Sequence, residues 1–239
     1  MKKHYTAMKL LPVYLITPAI ILLLAWLAGK STDVIVQNTP TADRNCIVID
    51  AGHGGMDGGA TSCTGILESN INLEIALRLN DLLRLLGTDT YMIRSTDTSV
   101  DTGGDTIAQR KVSDLKQRVR IVNSKANCLL LSIHQNYFDQ SRYYGPQVFY
   151  AETADSKALS ERLQDVLNRQ LCPGCHRKCK AATGIYLMEH ISCPGILVEC
   201  GFLSNPEEEA KLRSSAYQKE LVCVLSSECL QYLDKNTVS

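Results

Sequence analysis

The sequence has no excess of charge of either sign. Its 239 residues include 25 Lys and Arg and 25 Asp and Glu, so the formal net charge at pH 7 is zero. Proteins that bind nucleic acid generally show a basic excess, and its absence argues against that class of partner. Internal repeats and low-complexity tracts are also missing, and the length suits one domain of moderate size with a short appendage.

The glycine-rich stretch IVIDAGHGGMDGGA, residues 47–60, lacks the order of a phosphate-binding loop. It contains no Gly-x-x-x-x-Gly-Lys-Ser/Thr pattern, no lysine that could reach a phosphate and no dinucleotide-binding spacing. A nucleotide-binding role is therefore disfavoured. What the stretch does contain is one histidine, His53, among glycines that leave little bulk around it.

Residues 10–29, LLPVYLITPAIILLLAWLAG, contain no charged side chain. Such a run is long enough to cross a hydrocarbon core of roughly 30 Å as a helix. Lys2, Lys3 and Lys9 precede it, which predicts that the N-terminus stays inside and the remainder lies outside. A cleaved signal peptide is the alternative, but its apolar core is normally shorter, and the small-x-small cleavage pattern is poor here.

The chain is thus expected to have three parts. Residues 1–29 are predicted to form a membrane anchor or signal segment, residues 30–45 a polar linker, and residues 46–239 the folded domain. Whether or not the first segment is cleaved, the domain is predicted to be extracytoplasmic, either membrane-anchored or secreted.

Cysteine is abundant, with ten residues. An extracytoplasmic setting permits disulfides, but their pairing cannot be deduced from the sequence. Most cysteines in or beside apolar runs are expected to be small buried hydrophobes. These are Cys46, Cys128, Cys193, Cys200, Cys223 and Cys229.

A separate cluster, LCPGCHRKCK, contains Cys172, Cys175, His176 and Cys179. Cys-x-x-Cys-His also occurs at haem-attachment sites, but no other haem feature accompanies it. A structural zinc site needs four ligands, which these residues would supply only in a strained local cage. A disulfide, or reduced thiols in a loop, is the favoured interpretation, and the role of the cluster stays open.

Short apolar runs alternate with segments of helical spacing. The predicted strands cover residues 46–50, 90–96, 128–133, 146–152, 184–189 and 195–199. The predicted helices cover residues 70–87, 107–125 and 155–171, with a closing helix marked by Tyr217, Leu221, Val224, Leu225 and Leu230. This alternation favours an α/β domain with a largely parallel sheet covered on both faces. In the second helix Asp114 and Arg118 are spaced to pair at i,i+4.

Three of the predicted strands deliver a polar side chain at their carboxyl ends. These are His53, His134 and Glu199. Ligands bind at this edge of open α/β sheets, so the three side chains are expected to converge in one cleft. Glu68 follows His53 by a short glycine-rich loop and can fold back beside it. Taken alone, Glu68 is an ordinary helix N-terminal carboxylate, and each histidine is an ordinary turn or core residue.

Two histidines and one carboxylate form a common catalytic zinc set, with a fourth position left for water or substrate. A second carboxylate is then needed to take a proton from water and return it to the leaving group. Glu199 fits that role, because it ends a rigid strand instead of lying in a mobile loop.

The segments IDAGHGGMDGGA, LLLSIHQN and PGILVECGFLSNP, together with Glu68, resemble the zinc-dependent N-acetylmuramoyl-L-alanine amidases of the amidase-3 type. The resemblance covers residues 46 to about 233, and its ordered motifs are far more specific than any single one. The segments RKVSDLKQRV and GIYLM and the membrane-directed N-terminus are most similar to germination-specific, spore-cortex members of the family.

This resemblance implies a three-layer α/β/α sandwich around a mixed, mainly parallel sheet. It also implies that His53, Glu68 and His134 are zinc ligands and that Glu199 is the catalytic glutamate. The implied substrate is peptidoglycan, cleaved at the amide between the lactyl group of N-acetylmuramic acid and L-alanine of the stem peptide. In spore formers such cleavage precedes the formation of muramic-δ-lactam, which implies a location between forespore and mother cell. The need for an activating protein partner stays open.

Two alternatives use the same fold: a catalytically silent wall-binding protein and a zinc peptidase that acts on a protein. The complete set of four site residues argues against the silent protein. Gln135, Tyr137 and Cys200 depart from the residues usual in the family. The thiol of Cys200 is expected to face away from Glu199 across the strand, so a cysteine nucleophile is not expected.

Overall fold

The computed structural model describes residues 45–237. Its strands are β1 (Cys46–Ala51), β2 (Asp89–Met92), β3 (Cys128–Asn136), β4 (Gln147–Tyr150), β5 (Lys180–Ala181) and β6 (Gly195–Phe202). Its helices are α1 (Glu68–Leu85), α2 (Ile107–Asn123), α3 (Ser156–Gln170), α4 (Tyr186–His190), α5 (Pro206–Leu212) and α6 (Ser215–Thr237).

The six strands form one sheet in the order β2-β1-β3-β6-β4-β5. Strands β2, β1, β3 and β6 are mutually parallel, whereas β4 is antiparallel to β6 and β5 is parallel to β4. The sheet is therefore mixed and mainly parallel, as predicted. The central position of β1, β3 and β6 explains why these strands are near-continuous apolar runs, since both of their faces are covered.

Alternate side chains of the strands point to opposite faces and enter two separate cores. Ile47 and Ile49 belong to the core beneath α1, α3, α5 and α6. Val48 and Leu130 belong to the other core, which is closed by Val122 of α2 and by residues of α4. These two cores give the predicted three-layer α/β/α arrangement.

One strand prediction is wrong. The segment 184–189 was expected to be a strand, but Tyr186–His190 form the short helix α4. Gly184 has a φ of 79°, which turns the chain, and its backbone N–H donates to the Glu189 carboxylate at 2.6 Å. Leu187 and Met188 are then buried together in the core on that face. A short apolar run fits a strand or a buried helical turn equally well by periodicity.

Element ends also differ from the expectations. Strand β3 continues past His134 to Asn136, and β6 continues past Glu199 to Phe202, so Glu199 lies within its strand and does not end it. Strand β2 stops at Met92: the Ile93 backbone N–H still donates to the Ile49 carbonyl at 2.9 Å, and beyond it the Arg94 side chain donates to the Ala51 carbonyl at 2.7 Å. Helix α5 was not predicted; it begins at Pro206, where the Asn205 side chain accepts hydrogen bonds from two backbone N–H groups. Asn-Pro is a recognisable start signal for a helix, so this one was available from the sequence.

The cysteines divide differently from the expectation. Cys128, Cys200 and Cys229 are buried as predicted, but Cys46 and Cys193 are half-buried and Cys223 is exposed. In the loop cluster, Cys172 and Cys175 form a disulfide, which is one of the two favoured interpretations. Cys179 is a free, half-buried thiol.

The predicted anchor over residues 1–29 and all but the last residue of the predicted linker over 30–45 lie outside the described residues. Among residues 45–237, no helix has the length and apolar character needed to cross a membrane. The division of the chain into anchor, linker and domain therefore remains a prediction.

Candidate metal centre

Strand β1 delivers His53 through a tight turn. His53 has a φ of 60°, a left-handed conformation that is uncommon for residues other than glycine and is concentrated at functional sites. Side chains of the site lie close to the backbone at two glycines of this region. A Cβ atom at Gly52 would lie 2.2 Å from the His134 ring, and one at Gly59 would lie 2.6 Å from Glu68 Oε2. The glycines therefore make room for the other site residues, not for a phosphate.

Glu68 lies between the two histidines. Its Oε2 is 3.2 Å from Nε2 of His53, and its Oε1 is 3.0 Å from Nδ1 of His134. The three ligand-type atoms lie within 4.8 Å of one another, and no other group of described residues has a comparable arrangement of metal-binding side chains. Glu68 is the first residue of α1 instead of preceding it, and the fold brings it to both histidines as predicted.

The charges of this cluster favour a deprotonated carboxylate. Burial alone would raise the pKa of Glu68, but hydrogen bonds and attraction from His134 and His53 hold the pKa of this carboxyl well below its usual range. Burial alone would lower the pKa of His53, but its contacts with Glu68 and Asp57 raise that pKa to about 9. The negative charge of Glu68 thus attracts a proton on His53, and a metal cation would take the place of that positive charge.

Asp57 fixes the orientation of the His53 ring. Its Oδ2 is 2.9 Å from Nδ1 of His53, while Nζ of Lys111 lies 2.8 Å from its Oδ1. With Nδ1 engaged, Nε2 of His53 is left to face Glu68. Carboxylate partners of this kind commonly set the tautomer of metal-binding histidines. No local sequence pattern gives Asp57 a role or singles out Lys111, which comes from helix α2.

Two buried amides hold Glu68 from its other side. The Asn72 side chain donates to Glu68 Oε1 at 3.1 Å, and its own oxygen accepts from the Gln135 side chain at 3.1 Å. The backbone N–H groups of Ala60 and Gln135 also donate to Glu68, at 3.0 and 3.1 Å. Asn72 lies four residues after Glu68 on α1 and therefore on the same helix face. That spacing was the one sequence signal for this amide.

Two buried arginines hold the backbone of the turn. Arg118 pairs with Asp50 and with Asp114, the latter at 2.6 Å as the i,i+4 spacing predicted, and it donates to the His53 carbonyl at 2.7 Å. Arg94 donates to the Gly52 carbonyl at 2.9 Å. Burial alone would raise the pKa of Asp50, but the Arg118 charge keeps the pKa of this carboxyl below its usual range.

Glu199 faces the same space from the neighbouring strand. It is the register partner of His134 between β6 and β3, so both side chains project from the same face of the sheet. Its Oε2 is shielded from solvent and has no hydrogen-bond partner among residues 45–237. Burial raises the pKa of Glu199 to about 7. A carboxyl group in this condition is poised to accept or release a proton near neutral pH.

These side chains open onto one cavity of about 360 Å³. His53, His134 and Glu199 line it together with apolar side chains of α2, α4 and β6. Cys200 instead lies in the core on the opposite face of β6, so its thiol faces away from the cavity as expected. The four predicted site residues are thus brought together.

The fold and the cluster together describe a class of protein: a three-layer α/β domain with two histidines and a carboxylate suited to one divalent metal ion, beside a second carboxylate. A family model described as N-acetylmuramoyl-L-alanine amidase matches residues 47–224, most of the chain. The chain belongs to this family of amidases. The predicted family, enzyme class and fold are thereby confirmed.

Individual relatives agree with this assignment. The germination-specific N-acetylmuramoyl-L-alanine amidase of Bacillus subtilis is 38% identical over 188 residues, which cover 78% of each chain. The CwlD amidase from Clostridioides difficile, solved in complex with the GerS lipoprotein, matches with a TM-score of 0.76 at 35% identity and covers 80% of this chain and 99% of that one. Another N-acetylmuramoyl-L-alanine amidase from Clostridium difficile 630 matches with a TM-score of 0.68 at 28% identity, covering 80% and 97%.

Proposed function

We propose that this chain hydrolyses the amide between the lactyl group of N-acetylmuramic acid and L-alanine of the stem peptide. His53, Glu68 and His134 would hold a zinc ion, and Glu199 would be the general base. One observation carries the proposal: the ligand-type atoms of the first three residues lie within 4.8 Å of one another, and Glu199 lines the same cavity.

The donor set suits zinc. Two imidazoles and one carboxylate are a common catalytic set for this metal, which leaves one coordination position open. The depressed pKa of Glu68 keeps this carboxylate charged, and the hydrogen bond of His53 to Asp57 turns the other ring nitrogen inward. A bound zinc ion supplies Lewis acidity, which polarises a carbonyl group and makes water easier to deprotonate.

Glu199 would transfer a proton from the attacking water to the leaving group. Its solvent-shielded Oε2 has no hydrogen bond among the described residues that would hold it elsewhere, so it is free to accept a proton from the attacking water. The same carboxyl group would then give the proton to the alanine nitrogen, which must be protonated before it can leave. Because Glu199 lies on a central strand, its position relative to His134 is set by the sheet register.

The wider setting follows from the relatives. The Bacillus subtilis relative is named as germination-specific, which supports a role for this chain in the spore cortex, before muramic-δ-lactam forms. The Clostridioides difficile CwlD structure contains a lipoprotein partner, and we propose that a protein partner also assists this chain. The basic flank and the charge-free run over residues 10–29 support membrane anchoring and an extracytoplasmic place between forespore and mother cell.

The proposal is tested by digestion of purified peptidoglycan with the purified zinc-loaded chain, followed by mass spectrometry of the products. We expect free stem peptides that begin with L-alanine. Muramic acid that keeps its peptide, despite zinc being bound, would instead indicate a silent wall-binding protein. Cleavage of a protein substrate with intact peptidoglycan would indicate a zinc peptidase.

The role of Glu199 is tested with Glu199→Gln, which keeps the shape but cannot accept a proton. We expect turnover to fall by roughly 10²–10⁴-fold, the usual contribution of a general base, with zinc content unchanged. Glu161→Gln, at an exposed position of α3, is the matched control and should retain full turnover. Full activity of Glu199→Gln would exclude Glu199 as the base.

A further inference from the structure

Three cysteines lie in a row at the amino-terminal ends of the central strands. Cys46 and Cys128 are direct register partners between β1 and β3. Leu130 and Gly195 are register partners between β3 and β6, and Cys128 and Cys193 each come two residues earlier. The row therefore crosses three neighbouring strands at the sheet edge opposite the metal centre.

The three thiols lie on one face of the sheet. Cys128 is buried in the core beneath α2, and Cys46 and Cys193 are half-buried against that same core. Neighbouring strands are about 4.8 Å apart. A disulfide spans Cα atoms about 4.4–6.8 Å apart, a distance that residues in adjacent strands on one face meet. Cys193 lies two residues before β6, and the segment that contains it continues beside β3 through the Pro194–Leu130 hydrogen bond.

Cys193 lies beside Cys128 where the β3–β6 ladder begins. The Leu130 backbone N–H donates to the Pro194 carbonyl at 2.9 Å, which holds the segment just before β6 against β3, and Sγ of Cys128 lies 3.8 Å from the carbonyl oxygen of Val122. The side chain of Cys193 lowers the pKa of Cys128, and the charge of Lys125 adds to this. Burial first, and then the charge of Cys128, raises the pKa of Cys46, with no side-chain hydrogen bond between these two thiols among the causes. Cys193 is therefore the partner best placed to bond with Cys128.

We propose that Cys128 and Cys193 form a reversible disulfide by exchange with a small-molecule disulfide such as oxidised glutathione. The half-buried Cys193 thiol gives up its proton and attacks one sulfur of the reagent; the reagent S–S bond breaks, a mixed disulfide forms, and the released half takes up the proton as a thiol. The Cys128 thiolate then attacks the Cys193 sulfur, which closes the protein disulfide and releases the second thiol. Two protein thiols are oxidised, and one reagent disulfide is reduced to two thiols.

The disulfide would tie β3 to the segment that enters β6. His134 and Glu199 come six residues after Cys128 and Cys193 respectively, so the link lies well along both strands from the metal centre. It closes a long loop of chain, which restricts the unfolded state more than the folded one. We therefore expect oxidation to raise thermal stability and to leave zinc content and turnover unchanged.

The test uses the full chain, either oxidised with glutathione disulfide near neutral pH or kept reduced. Free thiols are then alkylated, and the protein is digested with trypsin and a glutamyl endopeptidase. Cys128 falls in fragment 126–142 and Cys193 in fragment 190–199, which excludes Cys200. We expect these two fragments to be joined after oxidation and separate after reduction.

Two further variants make the test specific. Cys193→Ser should abolish the joined fragments and remove an oxidation-dependent rise in melting temperature of roughly 5 °C. Cys46→Ser should retain both, and it controls for the third thiol of the row. The proposal is overturned if Cys128 is alkylated in full after oxidation of the unmodified chain, or if its fragment is joined to the one that contains Cys46. This mapping needs no variant, so a poorly folded Cys193→Ser would not prevent a decision.

Discussion

Strands β1, β3 and β6 lead to or carry histidine and glutamate side chains toward their carboxyl ends, and cysteine lies in or just before their first residues. His53, His134 and Glu199 face a cavity beside Glu68 that charged side chains also line, whereas Cys46, Cys128 and Cys193 border an apolar core. Both groups arise in the same way, since parallel strands in register place equivalent positions side by side. The two groups differ in their surroundings. Loops and the start of α1 supply charges and hydrogen bonds around the metal centre, whereas packed helices supply few polar groups around the cysteines.

Substitutions near the two ends of β3 should have different effects on zinc binding. We expect His134→Ala to lose zinc and turnover, with a larger effect than the about 10–100-fold typical of outer-shell changes, because a ligand atom is removed. Cys128→Ala should keep zinc content and turnover, because this thiol lies at the other end of the strand. Metal analysis and peptidoglycan digestion measure both variants. Zinc loss in Cys128→Ala would mean that the two ends are not independent.

A smaller effect is expected from the residue that orients His53. Asp57→Asn keeps the size of the side chain but weakens its hold on Nδ1 of His53 and on Lys111. Zinc affinity should fall by about 10–100-fold, as for other outer-shell partners of metal-binding histidines. Asp81→Asn, at an exposed position of α1, is the control. Unchanged zinc affinity in Asp57→Asn would remove Asp57 from the metal centre.

Gly59→Ala tests whether the glycines make room for ligands. Gly59 has a φ of 69°, and a Cβ atom there would approach Glu68 Oε2 at 2.6 Å. Gly87 has a φ of 83° with nothing near its Cβ position, so Gly87→Ala carries the backbone strain without the contact. Both variants should lose about 1 kcal/mol of stability, and only Gly59→Ala should also lose zinc affinity. Equal zinc binding in the two variants would contradict the role given to Gly59.

The buried ion pair between Asp50 and Arg118 should make the stability of the protein depend on pH. Arg118 keeps the pKa of Asp50 below its unfolded value, so the stabilisation is present above about pH 4 and is lost as the pH falls through the folded pKa. Asp50→Asn leaves Arg118 buried beside a neutral group and should cost roughly 3 kcal/mol near pH 7. Urea unfolding of both metal-free proteins should show that the difference in free energy of unfolding between Asp50→Asn and the parent chain becomes smaller in acid. A difference that stays constant from neutral pH to pH 3 would exclude this ion pair as its source.

Much of the fold could be predicted because local sequence patterns indicate the individual strands and helices. The apolar runs that end at Asp50 and at His134 are buried on both faces, which a continuous run indicates without knowledge of neighbours. The helix from Glu68 follows from its 3.6-residue periodicity. The strand predicted over residues 184–189 is wrong, because a few apolar residues do not distinguish a strand from a helical turn. Packing against α2 favours the helix.

The order of residues along each segment shows which polar side chains follow the apolar runs, and with the family resemblance this was enough to name His53, Glu68, His134 and Glu199. The side chains that surround these four depend on how the segments pack. Asp57 reaches Lys111, and Glu68 reaches Asn72 and Gln135, across contacts that no local pattern records. Strand order likewise makes Cys128 and Cys193 neighbours although they are far apart in the chain. The physical reason is that periodicity is a property of one segment, whereas register and proximity depend on how the segments pack.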